Sequence, residues 1–527
     1  MSALTCRCLA GAVVALCALG AAPAAHAVGF VSGVAAGELG ATSAKVWTRA
    51  AKTGKVTVTL GRKKSVQASA ASVKATASHD RTVSATLRHL RPDTTYYYSF
   101  RQGSRRSAVG QFHTAPRSSA AKSVRFAWSG DADAQPLQPG GPPFWNTFGI
   151  YTRMAKEHNA FNVNLGDTIY SDTEVGTTNT DGQFVPATPP ALTLADKWAK
   201  YRQNLAQTPL QRLRASAGLY SQWDDHEFIN DFTQAENGAT LYKTGVAAFR
   251  DYAPVGYTSK DGLYRSFRWG RNLEVFFLDE RSFRSGKASA NHVCDNPQTG
   301  QPDLAPTAPA DKRALFAALV PSFSAPVSQA CLNAINDPSR TMLGARQYAR
   351  FTKAVRASKA TWKVIMNEVP IQQFYALPYD RWEGYAAERT KLLTFLRDHV
   401  KNTVFLTTDV HANFVNDARL DTFGAGGPVN SGITDITTGP VATKSFSKEI
   451  DGATGKPGAG DLITKAFFKP PPPDGVGMTC AAPDVFSYGQ VEVTAKRLTV
   501  QLKDTNGKPV VDAGTGQPCA QVVLKRK

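Results

Sequence analysis

Five apolar runs in this chain each end at side chains that can bind a metal ion, and this recurrence constrains the fold more than any other feature. Each run is short and rich in β-branched or aromatic residues, as buried strands are. The runs and the donors that follow them are 124–128 with Asp131 and Asp133, 161–165 with Asp167 and Tyr170, 219–223 with Asp224, Asp225 and His226, 364–366 with Asn367, and 404–406 with Asp409 and His411. Because ligands bind at the carboxyl ends of strands in open α/β sheets, we expect these ends to meet at one crevice. Helical patterns between the runs, such as the apolar stripe across 194–205, predict helices that cover the sheet.

A crevice with at least four carboxylates requires cations, because like charges in a medium of low dielectric repel and would otherwise take up protons. A tyrosine and a histidine beside aspartates suit a transition metal such as ferric iron, whereas a set of aspartate and asparagine oxygens suits Ca²⁺, Mg²⁺ or Mn²⁺. Two cations about 3.5–4 Å apart that share a carboxylate can hold a hydroxide and stabilise an in-line displacement at phosphorus. The donors therefore predict hydrolysis of phosphate esters.

Three motifs in this order resemble those of the alkaline phosphatase D family, a branch of the calcineurin-like metallophosphoesterases. They are Gly-Asp-Thr-Ile-Tyr at 166–170, Trp-Asp-Asp-His-Glu at 223–227 and Asp-Val-His at 409–411. The resemblance extends over the chain that follows the signal sequence, including 279–284 and the last pair of strands. It implies an α/β (α+β) layered β-sandwich metallophosphoesterase domain flanked by helices, preceded by an all-β domain of fibronectin type III or immunoglobulin type.

The resemblance, with that to the related purple acid phosphatases, implies two metal sites that share Asp167 as a bridging ligand. The implied ligands are Asp131, Asp167, Tyr170 and His411 for Fe³⁺, and Asp167, Asp225, Asn367 and Asp409 for Ca²⁺. Members of the family commonly have Ser-Cys after the first strand, where this chain has Gly130 and Asp131. Because a carboxylate is a harder ligand than a thiolate, this difference leaves Mn²⁺, Zn²⁺ or Mg²⁺ as alternative metals.

Two further residues are predicted to act in catalysis. The resemblance implies that His226 contacts the phosphate or protonates the leaving alkoxide. Arg281 could bind phosphate through its planar guanidinium, or it could form a structural ion pair near Asp279. The expected nucleophile is a metal-bound hydroxide.

The chain is expected to contain an N-terminal signal and two domains. Arg7, the apolar run 9–24 and the small residues at 25–27 predict a secretory signal peptide over 1–27 that is cleaved near Ala27. Short alternating runs predict a β-sandwich over 28–117. Within it, 90–98 resembles the fibronectin type III turn with a buried tyrosine, although a hairpin with exposed tyrosines is the alternative.

The catalytic domain is expected to span 122–460. It is expected to contain an insertion at 285–340, where the apolar residues lose the spacing typical of helices and strands. Residues 474–527 are expected to add strands that cap the catalytic sheet. Four cysteines follow the signal and allow three pairings. We favour the pairs closest in sequence, Cys294 with Cys331 and Cys480 with Cys519, over four free thiols.

Lys and Arg exceed Asp and Glu by 61 − 42 = 19, but only 20% of residues are charged and no basic run is long. Specific nucleic-acid binding is therefore not expected, whereas a basic surface would attract anionic substrates. No apolar run after the signal is long enough to span a membrane. We expect an exported monomeric hydrolase of phosphate mono- and diesters. The alternatives are a phosphodiesterase of phospholipase D type and a noncatalytic surface-binding protein.

Overall fold

The computed structural model describes residues 29–180 and 183–527, so the predicted signal peptide lies outside the described residues. Two antiparallel sheets, β1-β2-β5 and β4-β3-β6-β7 with β8 on β6, form the N-terminal part. Their strands are β1 Val34–Gly37, β2 Ala44–Arg49, β3 Gly54–Lys63, β4 Val66–Ala75, β5 Thr82–Leu87, β6 Thr95–Gln102, β7 Arg105–Arg106 and β8 Gly110–His113. Tyr96 and Tyr98 of β6 are buried between the sheets, which rules out the hairpin with exposed tyrosines.

Sixteen described strands follow, and fourteen of them form two seven-stranded sheets. They are β9 Val124–Ala132, β10 Phe161–Leu165, β11 Gly176–Thr178, β12 Phe184–Pro186, β13 Gly218–Gln222, β14 Arg265–Trp269, β15 Leu273–Phe277, β16 Trp362–Met366, β17 Thr403–Thr407, β18 Asn413–Asp421, β19 Val429–Thr437, β20 Pro440–Ala442, β21 Cys480–Ala482, β22 Ser487–Val493, β23 Arg497–Asp504 and β24 Val522–Lys525. The sheet orders are β13-β10-β9-β22-β23-β24, with β20 on the end of β9, and β14-β15-β16-β17-β19-β18-β21. Strands β11 and β12 form a separate hairpin.

Helices cover the outer faces of both sheets. They are α1 Gly149–Lys156, α2 Leu194–Leu205, α3 Thr208–Ser216, α4 Gln234–Tyr252, α5 Ala310–Phe316, α6 Gln329–Asn336, α7 Gly344–Ala357, α8 Ala386–His399, α9 Phe446–Thr454 and α10 Ala459–Ile463, with short 3-10 helices at Ala77–His79, Ala290–His292, Pro321–Ser324 and Trp382–Tyr385 and a π-helix at Thr464–Phe468. Thr193 caps α2 in a capping box with Asp196. Within the described residues, no helix is both long and apolar enough to cross a membrane.

The alternation of side chains along the strands sets the layers. Phe126 and Trp128 of β9 point into the core between the two sheets, whereas Ala127 between them faces the helices α1 to α4. On the second sheet, Val364 points into the shared core and Ile365 packs under α7 and α8. This period of two residues produces a sandwich of two sheets between two layers of helices.

Strands β9, β10 and β13 run parallel, as do β15, β16, β17 and β19. The carboxyl ends of β9, β10 and β13 in one sheet and of β16 and β17 in the other carry the predicted donors. A hydrogen bond of 3.1 Å from Trp128 Nε1 to the Thr407 carbonyl joins the two sheets near those ends.

Both cysteine pairs that are closest in sequence are confirmed. Cys294–Cys331 joins the start of the insertion to α6, and Cys480–Cys519 ties β21 to the C-terminal segment. The insertion is ordered and carries α5 and α6.

Candidate metal centre

The ends of the parallel strands bring together side chains that are up to 280 positions apart in sequence. Potential ligands whose ligand atoms lie within 4.8 Å of one another include four groups linked by shared residues: Asp131, Asp167 and His411; Asp167, Asp225 and His226; Asp224, Asp225 and Asp409; and Glu174, His411 and Glu449. Backbone hydrogen bonds join the loops, because the Asp409 N–H donates to Asp131 Oδ1 at 3.3 Å and the His226 N–H donates to Asp167 Oδ1 at 3.2 Å. The predicted convergence of the strand ends is therefore found in the structure.

The backbone at these ends adopts a left-handed conformation that residues other than glycine rarely adopt. The φ angles are +62° at Asp131, +46° at Asp167, +69° at Asp409 and +51° at His411. Such conformations cost about 1–3 kcal/mol each, and they cluster at functional sites. Gly166, with a φ of +80°, allows the close approach of the neighbouring loop, because a Cβ there would lie 2.7 Å from the Asp224 Cβ.

The carboxylates are deeply buried and incompletely paired. Burial raises the pKa of Asp131 to about 7, and it raises the pKa values of Asp167 and Asp409 well above their usual range, with neighbouring carboxylates adding to the effect at both. Among the described buried polar atoms, Asp131 Oδ2 and Asp225 Oδ1 have no hydrogen-bond partner. Oxygen atoms that are clustered, buried and unpaired suit hard cations, so these residues can hold metal ions.

Tyr170 and His411 lie together at one side of the cluster. Tyr170 Oη is 3.0 Å from His411 Nε2, and His411 Nδ1 is 2.6 Å from Glu449 Oε1. Burial alone would lower the pKa of His411, but the Glu449 carboxylate raises it to about 10. Burial raises the pKa of Tyr170 well above its usual value. A bound cation would oppose both effects, since it favours the deprotonated forms that ligate metals.

The His226 ring stacks on the Tyr170 ring, with the two ring centroids 4.1 Å apart. Its Nδ1 pairs with Asp172 Oδ1 at 2.8 Å, and its Nε2 makes no hydrogen bond to any described residue. Burial alone would lower the pKa of His226. The opposing effect of three nearby carboxylates is larger, and it raises the pKa well above its usual value; they are Asp172, Asp225 and Asp167.

Arg281 lies beneath the cluster, with a fully buried side chain. Its Nε donates to Asp224, its Nη1 donates to Asp380 Oδ1 at 2.8 Å, and its Nη2 lies 3.6 Å from Asp409 Oδ1. The guanidinium does not line the cavity described below. This placement favours the ion-pair alternative over direct contact with phosphate, although the partner is Asp224 and not the nearby Asp279.

Asn367 follows β16 and is fully buried, but among the described residues it makes no hydrogen bond to the clustered carboxylates. Its Nδ2 donates to the Val369 carbonyl, and its Oδ1 accepts from Trp382 Nε1 at 3.3 Å. Of the nine residues predicted for the site, Asn367 is the one that the described contacts do not connect to the cluster.

A cavity of about 270 Å³ opens over the cluster. Its polar lining includes Asp167, Asp225, His226, Asp409, His411 and Glu449, and its apolar lining includes Leu377 and Phe446. The two histidines and the clustered carboxylates therefore face one shared cavity.

Sequence reasoning missed Asp172, Asp380 and Glu449. Asp172 lies two residues after Tyr170 in the same loop, so its proximity to His226 could have been inferred from the motif. Glu449 lies on α9, and Asp380 lies in a loop after Tyr379; neither follows one of the five apolar runs. Burial raises the pKa of Asp380, but Arg281 and Arg284 lower it more, so that this carboxylate stays charged.

Comparison with known proteins identifies the family. A family model described as PhoD-like phosphatase matches residues 141–501, which is more than half of the chain. The chain belongs to the PhoD-like phosphatase family. A second model, the N-terminal domain of PhoD-like phosphatases, matches residues 16–116. The resemblance to alkaline phosphatase D is thereby confirmed, and the family is one of phosphoric ester hydrolases.

Three known proteins are similar to this chain in sequence or in fold. Alkaline phosphatase D of Bacillus subtilis (strain 168) is 25% identical over 360 residues, covering 63% of this chain and 53% of that protein, so the match spans about half of the relative's length. The solved structure of PhoD superposes with a TM-score of 0.73 at 20% identity, covering 96% of this chain and 92% of the other. The purple acid phosphatase PPD1 from yellow lupin (Lupinus luteus) seeds superposes with a TM-score of 0.54 at 11% identity. The superposition covers 94% of this chain and 74% of the lupin protein. These two likenesses show that the chain shares the mixed α/β fold of both solved structures.

Proposed function

We propose that this PhoD-like phosphatase family member is a metal-dependent phosphoesterase that hydrolyses phosphate mono- and diesters. The observation that supports this function is the convergence of Asp131, Asp167, Asp225 and Asp409, with unpaired oxygens, beside a cavity of suitable size for a phosphate ester. Several buried carboxylates at such separations are stable as anions only with cations between them.

We propose that two cations share Asp167. One set of ligands is Asp131, Asp167, Tyr170 and His411, and the other is Asp167, Asp225, Asn367 and Asp409. The phenolate and imidazole donors of the first set favour Fe³⁺, whereas the oxygen donors of the second favour Ca²⁺, with Mn²⁺, Zn²⁺ or Mg²⁺ as alternatives. When bound, the cations supply positive charge that stabilises the phosphoryl oxygens and lowers the pKa of a coordinated water.

His226 is proposed to donate a proton to the leaving-group oxygen. Its Nε2 makes no hydrogen bond to described protein groups and its side chain lines the cavity, while Asp172 on Nδ1 orients the ring and stabilises the imidazolium. Arg281 is proposed to act as a positioning residue that neutralises Asp224 and holds Asp409, and not as a direct phosphate ligand.

Hydrolysis of 4-nitrophenyl phosphate and of bis(4-nitrophenyl) phosphate, with and without a chelator, tests this proposal. We expect turnover that the chelator abolishes and added metal restores. No turnover of either ester by metal-replete protein would reject the proposal. Absence of bound metal in the purified protein by elemental analysis would instead support the noncatalytic surface-binding alternative.

A phospholipid diester is the second candidate substrate, because the formal net charge of +19 favours anionic membranes. Release of phosphatidic acid or of a free headgroup from liposomes would support it. Activity on soluble esters alone would count against it.

The N-terminal β-domain is proposed to be of fibronectin type III kind. The hydroxyl of Tyr96 on β6 accepts a hydrogen bond of 2.9 Å from the Arg91 N–H, five residues upstream, as the tyrosine at the corner of such domains does. We also propose that the protein is a monomer and that it is exported; the two disulfides support export, because disulfides are typical of oxidising compartments.

A further inference from the structure

The N-terminal β-domain carries most of the net positive charge of the protein. Residues 28–117 contain 15 lysines and arginines but only three aspartates and glutamates, which gives them a net charge of +12 out of the +19 of the whole chain. The much longer remainder, residues 118–527, has a net charge of only +6. The proposed phosphoesterase chemistry does not use this excess, because none of the described residues of the β-domain lines the cavity over the metal centre.

The acidic residues of the β-domain do not neutralise this charge at its surface, because each of the three is already paired. The pairs are Glu38 with Arg265, Asp80 with Arg49 and Arg202, and Asp93 with His113 and Lys122. Twelve of the 15 basic side chains are exposed. Their charge therefore faces the solvent, where an external anion can meet it.

Four of the exposed basic side chains lie on one face of the sheet β4-β3-β6-β7. The strand register places Lys55 of β3 directly opposite Lys74 of β4, and Arg101 of β6 directly opposite Arg106 of β7. Arg101 also lies opposite Thr57, two residues along β3 from Lys55, so the four side chains are on the same side of the sheet. The apolar neighbours of Lys55 and Arg101 along the strands point the other way, into the core. These four side chains form the basic face of the β-domain.

The basic face has a cost in stability that the fold itself does not explain. Like charges directly opposite each other on neighbouring strands repel, with Cβ atoms about 5 Å apart, and they destabilise a sheet. None of the four side chains makes a hydrogen bond or an ion pair with any described residue that would offset the repulsion. An anionic partner bound over them would remove it.

Protection of sheet edges accounts for only half of the basic face. Charged side chains, lysine above all, keep an edge strand from pairing with another chain. This role suits Lys74 and Arg106, because β4 and β7 are the two ends of the sheet order. It does not suit Lys55 and Arg101, because β3 and β6 are interior strands. The two interior positions therefore indicate a binding surface.

The hairpin between β3 and β4 adds further positive charge to the same sheet. Arg62, Lys63 and Lys64 are exposed, and they are followed by Val66, whose side chain is 66% exposed. An apolar side chain beside basic ones suits the surface of an anionic membrane, where the apolar group leaves water while the cations meet lipid phosphates.

We propose that the basic face and this hairpin dock the protein onto a bilayer that contains anionic phospholipid. The positive charge is spread over a surface four strands wide, roughly 15 Å, and not along a groove. Proteins that hold a flexible single-stranded polyanion combine a basic groove with exposed aromatic side chains. None of the described aromatic side chains of the β-domain is exposed. The proposal concerns docking alone, so it depends neither on the phosphoesterase function nor on a lipid substrate.

Sedimentation with lipid vesicles tests the proposal on the chain without the predicted signal peptide, whose apolar run would itself bind lipid. In about 0.1 M salt we expect binding to vesicles of equal parts phosphatidylcholine and phosphatidylglycerol, no binding to pure phosphatidylcholine, and release in about 1 M salt, where the screening length falls to about 3 Å. Absence of binding to the anionic vesicles would overturn the proposal. Binding to soluble dextran sulfate that is equal or tighter, at the same concentration of anionic groups, would overturn the choice of a bilayer in favour of a soluble polyanion.

Lys55→Gln combined with Arg101→Gln removes two positive charges from the interior strands of the basic face. Each positive charge near an anionic bilayer contributes about fivefold to binding, so we expect the affinity for the anionic vesicles to fall about 25-fold. The thermal midpoint of unfolding should stay the same or rise, because the change removes repulsion between facing strands.

Arg62→Gln combined with Lys64→Gln tests the hairpin and should cause a similar loss of affinity. The matched control is Lys353→Gln combined with Lys359→Gln, which removes two exposed lysines from α7 and the loop after it in the catalytic domain. This control should bind the vesicles like wild type. Wild-type affinity in both β-domain variants, or an equal loss in the control, would overturn the inference.

Discussion

Asp172 Oδ1 lies 2.8 Å from Nδ1 of His226, and the second oxygen of the same carboxylate accepts the Asn230 N–H at 2.8 Å. Asp172 is thus fixed at both oxygens, and it in turn fixes the imidazole ring with Nε2 unbonded beside the cavity. A histidine that transfers protons in an enzyme is commonly oriented by a carboxylate that other groups hold in place, as the Asn230 N–H holds Asp172 here.

Asp172→Asn is expected to lower kcat about 10- to 100-fold for an alkyl phosphate, because the amide no longer stabilises the imidazolium. The loss should be much smaller for 4-nitrophenyl phosphate, whose leaving group needs little protonation. Steady-state kinetics on both esters measures the difference. Asp417→Asn, an exposed carboxylate remote from the site, is the control.

His226→Ala should show the same dependence on the leaving group, and adding Asp172→Asn to it should cause little further loss, because both changes remove one function. Equal losses on the two esters would show that the pair serves only to hold the loop.

Asp167→Asn is expected to deplete both metals, because Asp167 is the ligand proposed to be shared between the two sites. Its ligand oxygen lies within 4.8 Å of ligand atoms of Asp131 and His411 in one group and of Asp225 and His226 in another. Elemental analysis of purified variants should therefore show both metals depleted in Asp167→Asn, but mainly one in Asp131→Asn or Asp409→Asn. Equal metal content in Asp167→Asn and wild-type protein would contradict a shared ligand.

Tyr170→Phe tests whether the first site holds ferric iron. A ferric tyrosinate absorbs visible light, so wild-type protein should be coloured and the variant should lose the band while it keeps its fold. Visible spectra and circular dichroism of both proteins provide the measurement. A wild-type enzyme that is colourless, free of iron and active would remove the assignment of Tyr170 as a ligand.

Arg281→Met is expected to destabilise the fold by about 3–5 kcal/mol, because it leaves the Asp224 carboxylate fully buried without its arginine partner, whereas Asp380 keeps Arg284. Urea denaturation gives the free energy of unfolding. Arg397→Met provides the control, since Arg397 pairs only with its exposed neighbour Asp398, and it should leave that free energy unchanged. A similar small effect of both substitutions would contradict the structural role proposed for Arg281.

The site residues that directly follow strands were predictable. Parallel strands of one sheet end at the same edge of that sheet, so the side chains after them lie close together. This reasoning found Asp131, Asp167, Asp225 and Asp409 without a structure. It could not find Glu449, whose helix reaches the site through tertiary packing alone. It also could not decide between the two roles of Arg281, because burial of the guanidinium depends on Asp380 in a distant loop.

The same limit applies to the fold. Strand β10 is found at the predicted positions, and α2 follows its apolar stripe, because local pattern and tertiary burial agree there. The packing of Phe316 in the insertion against Phe467, with ring centroids 5.7 Å apart, could not be predicted, because the two segments have no sequence pattern in common.

The Asp80 carboxylate connects the N-terminal β-domain to the catalytic domain, and its contribution to stability should depend on pH. It accepts hydrogen bonds from Arg49 at 2.8 Å, from Arg202 of α2 at 2.5 Å and from Tyr252 of α4. Burial raises the pKa of Asp80, but these donors lower it more, so the net shift is downward.

A carboxyl group with a lowered pKa in the folded state stabilises the fold above its unfolded pKa of about 3.9 and loses this effect as pH falls through the lower folded value. Asp80→Asn should therefore be less stable than wild type at pH 7, and the difference should shrink below about pH 4. Urea denaturation of both proteins at pH 7 and pH 3 measures this. A difference in stability that is the same at both pH values would show that the ionised carboxylate contributes nothing at this contact.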